Sequence, residues 1–147
     1  MAEHTFIHAS SLPVAPEEAW GALQNPVTWA SIGGVDAVGS ATFDVDGNLS
    51  GFTFAATVAG RRYPGNASVA SSTPPRSMTV DIDTSELLGR ITVHLAPPSD
   101  PERVTVRLAV RSRSFMAGLM FSVVAGAIGN GFPQRVEAFS AGLGTAR

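Results

Sequence analysis

The chain has 147 residues, 44% hydrophobic and 15% charged, with a formal net charge of -2. That is the size and balance of one globular domain, expected to span 1–147, and scattered basic residues offer no phosphate-binding face, so no nucleic-acid partner is expected. There is no cysteine and all ten basic residues are arginine, which excludes disulfides, thiolate nucleophiles, cysteine-ligated zinc, Schiff-base chemistry and the lysine of a Walker-type loop.

The N-terminal MAEHTFIHASS lacks the basic, apolar, small-residue succession of a signal peptide, so the cytoplasm is the expected compartment. Thr5 to Val14 reads as a strand whose alternation puts Phe6, His8, Ser10, Leu12 and Val14 on one face. Pro16 then suits a first helical position, with Glu17 and Glu18 favourable in the first turn and Trp20 and Leu23 on one stripe. Asn25-Pro26 starts a second short helix carrying Val27, Trp29 and Ile32, and Gly33-Gly34 stops it.

Residues 35 to 111 show no helical period. Turn residues recur roughly every ten positions, the rhythm of an antiparallel meander of six further strands. Asp46-Gly47, Gly60, Pro74-Pro75, Ser85 to Gly89 and Pro97 to Pro101 punctuate it. The last strand alternates Val104, Val106, Leu108 and Val110 with Thr105, Arg107, Ala109 and Arg111, so one sheet face meets water and the other needs a cover.

The cover is expected from residues 115 to 132, FMAGLMFSVVAGAIGNGF, eighteen residues without a charge. Such a run approaches the length of a membrane span. Its apolar positions nevertheless continue with helical spacing through Phe132, Val136, Phe139 and Leu143, beside Gln134, Arg135 and Glu137. A core helix that lies against the sheet explains that amphipathic continuation, and no stable membrane insertion is expected. Gly118, Gly126, Gly129 and Gly131 are costly inside a helix, and Pro133 should bend the helix or end its first half. Either the glycines let the helix backbone approach the sheet, or they leave volume for a guest walled by Met116, Leu119, Met120 and Val123.

Other constellations are weaker. Asp81 and Asp83 share a strand face, and FDVDGN at 43 to 48 contains part of a calcium-loop pattern, but the closing glutamate is missing and hairpin turn chemistry explains it. No G-x-S-x-G, no G-x-G-x-x-G before a helix and no H-E-x-x-H occurs, so neither metal nor cofactor is expected. His94 points away from its apolar neighbours, while His8 shares the face of Phe6 and Leu12, where a neutral imidazole serves as base or hydrogen-bond partner.

The segments VAPEEAWGALQNPVTWASIGGV and GRRYPGNASV followed by TPPRSM, in the order strand, two short helices, six-stranded meander and long C-terminal helix, resemble the SRPBCC superfamily of START and birch-pollen-allergen proteins. The likeness is nearest to polyketide cyclase/dehydrase-like members and to those similar to an accessory protein of carbon monoxide dehydrogenase. It implies an α+β helix-grip fold, an antiparallel sheet of about seven strands wrapped around a long C-terminal helix, with a cavity between them. Phe43 and Phe54 on the sheet and Met116, Leu119, Met120, Val123 and Ala127 on the helix are its expected wall. The expected ligand is an apolar small molecule: a lipid, quinone, acyl chain or polyketide-like ring. The resemblance also allows a cyclase or dehydratase using His8 and Tyr63, or an accessory subunit acting by protein or membrane association, and a homodimer through a sheet edge or the helices.

Overall fold

The computed structural model describes residues 3–35, 37–58, 60–85, 87–95, 103–112, 126 and 129–145. Among the described residues, seven strands and three helices with defined bounds follow in the order β1 (Glu3–Ser11), α1 (Pro16–Ala22), α2 (Pro26–Gly33), β2 (Ala37–Phe43), β3 (Leu49–Val58), β4 (Arg61–Thr73), β5 (Ser77–Thr84), β6 (Leu87–Leu95), β7 (Arg103–Ser112) and α3 (Phe132–Thr145). The strands form one antiparallel sheet in the order β1-β7-β6-β5-β4-β3-β2. Only the first strand leaves sequence order, and it pairs with the last, Phe6 opposite Leu108. This is the expected helix-grip α+β architecture.

Local chemistry accounts for the boundaries. Pro16 and Pro26 open the two short helices, and the Asn25 side chain caps the second by accepting from the Val27 N–H at 3.0 Å. Gly34 ends it in the left-handed region at φ 74°. The buried Trp29 indole donates to the Leu23 carbonyl at 2.7 Å, so the pivot between α1 and α2 is held from inside. At the β2–β3 turn, Asp44 Oδ1 accepts from the N–H groups of Asp46 and Asn48, and Gly47 takes φ 83°. The carboxylate of the calcium-like FDVDGN is thus engaged in turn formation.

The inner face of the sheet buries Met78, Val80, Ile91, Val93, Val104 and Val106. Against it lie Leu12, Leu23, Trp29 and Ile32 from the N-terminal segment and Phe132 and Val136 from α3. The strand expected over Thr5 to Val14 runs over Glu3–Ser11 instead, and Leu12 and Val14 enter the core from the connection to α1. Pro13 has no N–H for the ladder, which accounts for the earlier stop.

The C-terminal segment is more broken than its apolar period predicts. Residues 130 and 131 form a turn with Gly131 at φ 84°, and a separate helix begins at Phe132. Pro133 therefore sits in the first turn of α3, where an absent N–H costs nothing. Gly129 lies so close to β1 that an added Cβ would collide with the Phe6 ring, which itself packs against Phe132 at 6.1 Å between centroids. Here glycine serves close approach. Arg135 ties α3 to the C-terminal end of α2, its Nε donating to the Ile32 carbonyl at 2.9 Å. Burial draws its pKa below the ordinary arginine value. Among the described residues no helix is long and apolar enough to cross a membrane, and residues 113–125 lie outside them.

Candidate functional site

An apolar cavity of about 80 Å³ opens between the inner sheet face and α2. Its wall takes Trp29 from α2, Phe52 and Phe54 from β3, Tyr63 from β4, Ile91 from β6 and Leu108 from β7. Strand alternation puts Phe52, Phe54 and Ala56 on one face of β3, and the two rings meet edge on at 6.4 Å. Phe54 keeps its position because β4 carries no side chain beneath it: a Cβ on Gly65 would stand 2.6 Å from Phe54 Cζ and 2.7 Å from the Asp83 carbonyl.

Polar groups at this cavity are few. Thr84 Oγ1 donates to the Leu87 carbonyl at 3.0 Å and accepts from the Leu87 N–H at 2.9 Å, so its hydroxyl is engaged within the β5–β6 turn. Tyr63, 5% exposed, adds the phenol. The arrangement suits burial of hydrocarbon or an aromatic ring, which gains by leaving water and asks for few polar partners. At about 80 Å³ it is smaller than the cavity of about 150 Å³ that takes a benzene molecule elsewhere, so its volume admits the end of a hydrocarbon chain or the edge of a ring.

A second group of side chains lies where β1 meets α3. His8 Nε2 and Glu137 Oε2 stand 2.6 Å apart, and Ser10 Oγ donates to Glu137 Oε1 at 2.6 Å. Both carboxylate oxygens are engaged, and the Ser10 hydroxyl first, then the His8 ring, hold the Glu137 carboxyl below the usual range. Ser10 contacts the carboxylate and not the imidazole, so this is no nucleophile–base relay. Its geometry fastens an edge strand to a helix.

The expected site residues therefore separate. Phe54 and Tyr63 stand in the cavity wall. Phe43 is 52% exposed on β2 and is not part of that wall. His8 faces α3 as alternation predicts but is bonded to Glu137 and does not line the cavity, so the structure does not bring His8 and Tyr63 to one point. Met116, Leu119, Met120, Val123 and Ala127 lie outside the described residues. Trp29, Phe52 and Leu108 join the wall without having been singled out; alternation from Phe54 finds Phe52, whereas Trp29 arrives only through packing of α2.

The sheet order, the two helices after β1 and the C-terminal helix define a START-like helix-grip fold. Solved structures with the same fold include a Thermus thermophilus protein (11% identity, TM-score 0.72, 99% of each chain covered) and the Zhui aromatase/cyclase from a Streptomyces species (13% identity, TM-score 0.68, 96% of this chain and 95% of that one). A START superfamily protein from Mycobacterium smegmatis aligns at 10% identity and TM-score 0.56 over 89% of this chain and 98% of its own. No protein-family model and no curated protein sequence matches the chain. At these identities the likeness is one of fold, and activity has to be argued from the site.

Proposed function

We propose that the chain, acting as one domain over 1–147 in the cytoplasm, binds an apolar small molecule in the cavity between sheet and helices. A lipid, quinone, acyl chain or polyketide-like ring inserts its hydrocarbon end there. The observation that carries this reading is the wall itself: aromatic and aliphatic carbon from α2 and five strands, with the Thr84 hydroxyl turned to its own backbone neighbours. Phe54 and Tyr63 are its proposed contacts on the sheet, and Met116, Leu119, Met120, Val123 and Ala127 remain proposed contacts from the C-terminal segment. Binding by burial favours a carrier over a catalyst, because the imidazole best placed for proton transfer, His8, is bonded to Glu137 at the sheet margin.

Ala56 offers the test, since it lines the cavity and is 9% exposed. Titration of the full chain with xenon, followed by its NMR shift, should show saturable binding, since an atom of that size suits a small dry apolar cavity. Ala56→Leu fills the cavity and should weaken that binding about tenfold or more, with an unchanged or higher thermal midpoint. Unaltered probe affinity in a folded Ala56→Leu protein would place binding elsewhere. A loss of about 1 to 3 kcal/mol in stability would show the space to be already packed. Native mass spectrometry of protein purified from its own host would then identify a co-purifying ligand.

A further inference from the structure

The outer face of the sheet carries a polar groove of about 470 Å³ on the side opposite the apolar cavity, lined by residues of β1, β4, β5, β6 and β7. Arginines that are scattered along the chain are gathered there by strand register. One row across the sheet reads Asn66, Asp83, Leu88, Arg111 and Glu3, each residue opposite the next in the adjoining strand, and the neighbouring row reads Ser68, Asp81, Arg90, Ala109 and Thr5. Ala109 is the small residue at the centre. Arg90 stands opposite it on β6, while Arg107 and Arg111 lie two positions to either side of it on β7, and all four line the groove. Arg90 is fixed in place: its Nε and Nη2 donate to the two Asp81 carboxylate oxygens at 2.7 and 3.2 Å, which leaves Nη1 unengaged among the described residues. Arg107 and Arg111 have no ion pair among the described residues, whereas Asp83 has an interaction of its own.

We infer that the floor made by Ala109 is a binding site for the phosphate group of a phosphate monoester. Arg107 and Arg111 are about 13 Å apart along the backbone, and side chains that lean along a strand bring both guanidinium groups toward the space above the residue between them. Arg90 approaches the same space from β6 through its unengaged Nη1, with Asp81 as its positioning residue. Each guanidinium is a planar fork that donates to oxyanion oxygens. A carboxylate presents two oxygens in one plane and suits one fork. A phosphate presents three, spread around a tetrahedron, and suits three forks that arrive from different sides. Its charge of about -1.5 to -2 at neutral pH also matches the two arginines that have no ion pair. Glu3 opposes this charge at the Arg111 end, so the Arg107 end makes the stronger contact. The groove is larger than one phosphate and leaves room for the group esterified to it. That ester is the same chemistry on a small soluble molecule and on a lipid headgroup. The site lies on the other face of the sheet from the apolar cavity and does not depend on it.

Two probes of the full chain at low salt test the site and separate its sources. Isothermal titration calorimetry with glycerol phosphate reads a soluble ester, and flotation with phosphatidylcholine vesicles that contain phosphatidic acid reads a lipid headgroup. Saturable one-to-one binding in the first, or flotation that requires phosphatidic acid in the second, is the expected result. Arg107→Gln should weaken whichever binding is seen by about tenfold or more, the loss of a charge-assisted contact. Ala109→Leu keeps every charge but fills the floor, and should weaken it as well. Glu3→Gln should tighten it a few-fold, because it removes the opposing carboxylate. Arg107→Gln and Glu3→Gln change exposed side chains, so the test stands even if Ala109→Leu disturbs folding by circular dichroism. The inference is overturned if neither probe binds, or if Arg107→Gln binds as well as wild type. A folded Ala109→Leu protein with unchanged affinity would also overturn it, since the attraction would then be diffuse and not seated on this floor.

Discussion

Gly129 and Gly126 show how one residue type serves different ends three positions apart. At Gly129 an added methyl would enter the Phe6 ring, whereas at Gly126 a Cβ meets nothing within 4 Å among the described residues. Gly129→Ala should therefore destabilise the fold by about 1 to 3 kcal/mol through forced displacement of Phe6 and Phe132. Gly126→Ala should be neutral or stabilising by up to about 1 kcal/mol, the ordinary gain of alanine over glycine in helical backbone. Urea unfolding of the two variants beside wild type measures both. Equal losses would mean that the glycines are retained for some property other than local space. Glycine content alone could not separate these cases, because the colliding ring comes from the other end of the chain.

At the scale of elements, β1 is an edge strand whose inward-facing side chains are held by α3. Phe6 packs on Phe132, His8 and Ser10 bond to Glu137, and the Ser140 hydroxyl donates to the Ser11 carbonyl. The Glu137 carboxyl is held below the usual range, chiefly by the Ser10 hydroxyl and then by His8. In the unfolded chain the same group keeps its proton to higher pH. Ionised Glu137 therefore stabilises the fold above the unfolded-state value of about 4.3, and that contribution is lost as pH falls through the lower folded-state value. Glu137→Gln should be less stable than wild type at neutral pH, and the gap should close as the medium is acidified below about pH 4. Denaturant midpoints of both proteins at stepped pH check this. A gap that stays constant on acidification would show that hydrogen-bond geometry, and not the charge, carries the contact.

For the whole molecule, the sheet order makes β5, β6 and β7 interior strands, paired on both sides, while β2 and β1 have one neighbour each. Met78, Val80, Val93, Val104 and Val106 are essentially inaccessible, whereas the burial of β2 nowhere goes beyond partial. Opening the centre requires loss of the core, but β2 can separate from β3 alone. Native-state hydrogen exchange should accordingly show the slowest amides at Val80, Val93 and Val106, exchanging by global unfolding, and the fastest ladder amides in Ala37–Phe43. Uniform protection across all seven strands would indicate that the molecule opens only as one unit. The apolar cavity sits beneath this stable centre, so ligand entry by way of the protected strands would be slow.

Much of this organisation is written in short-range patterns. Prolines at helix starts, Gly34 at a helix end, Asp46-Gly47 at a turn and the alternation of β7 each act within a few residues, so the seven strands, the two short helices and the inward side of His8 were legible in the chain alone. The site was less so. Phe54 and Tyr63 could be nominated from strand position, but the cavity depends on α2 bringing Trp29 over Phe52, on Gly65 leaving room for Phe54, and on Thr84 closing upon Leu87. Glu137 could not have been paired with His8, because 129 residues separate them and no local period links a strand to a helix at that distance. The charge order across the outer face likewise exists only once register has placed Asn66, Asp83, Leu88, Arg111 and Glu3 in one row. Local propensity acts along the chain and is readable there; a cavity, a clasp and an ordered row of charges arise from residues that only folding makes neighbours.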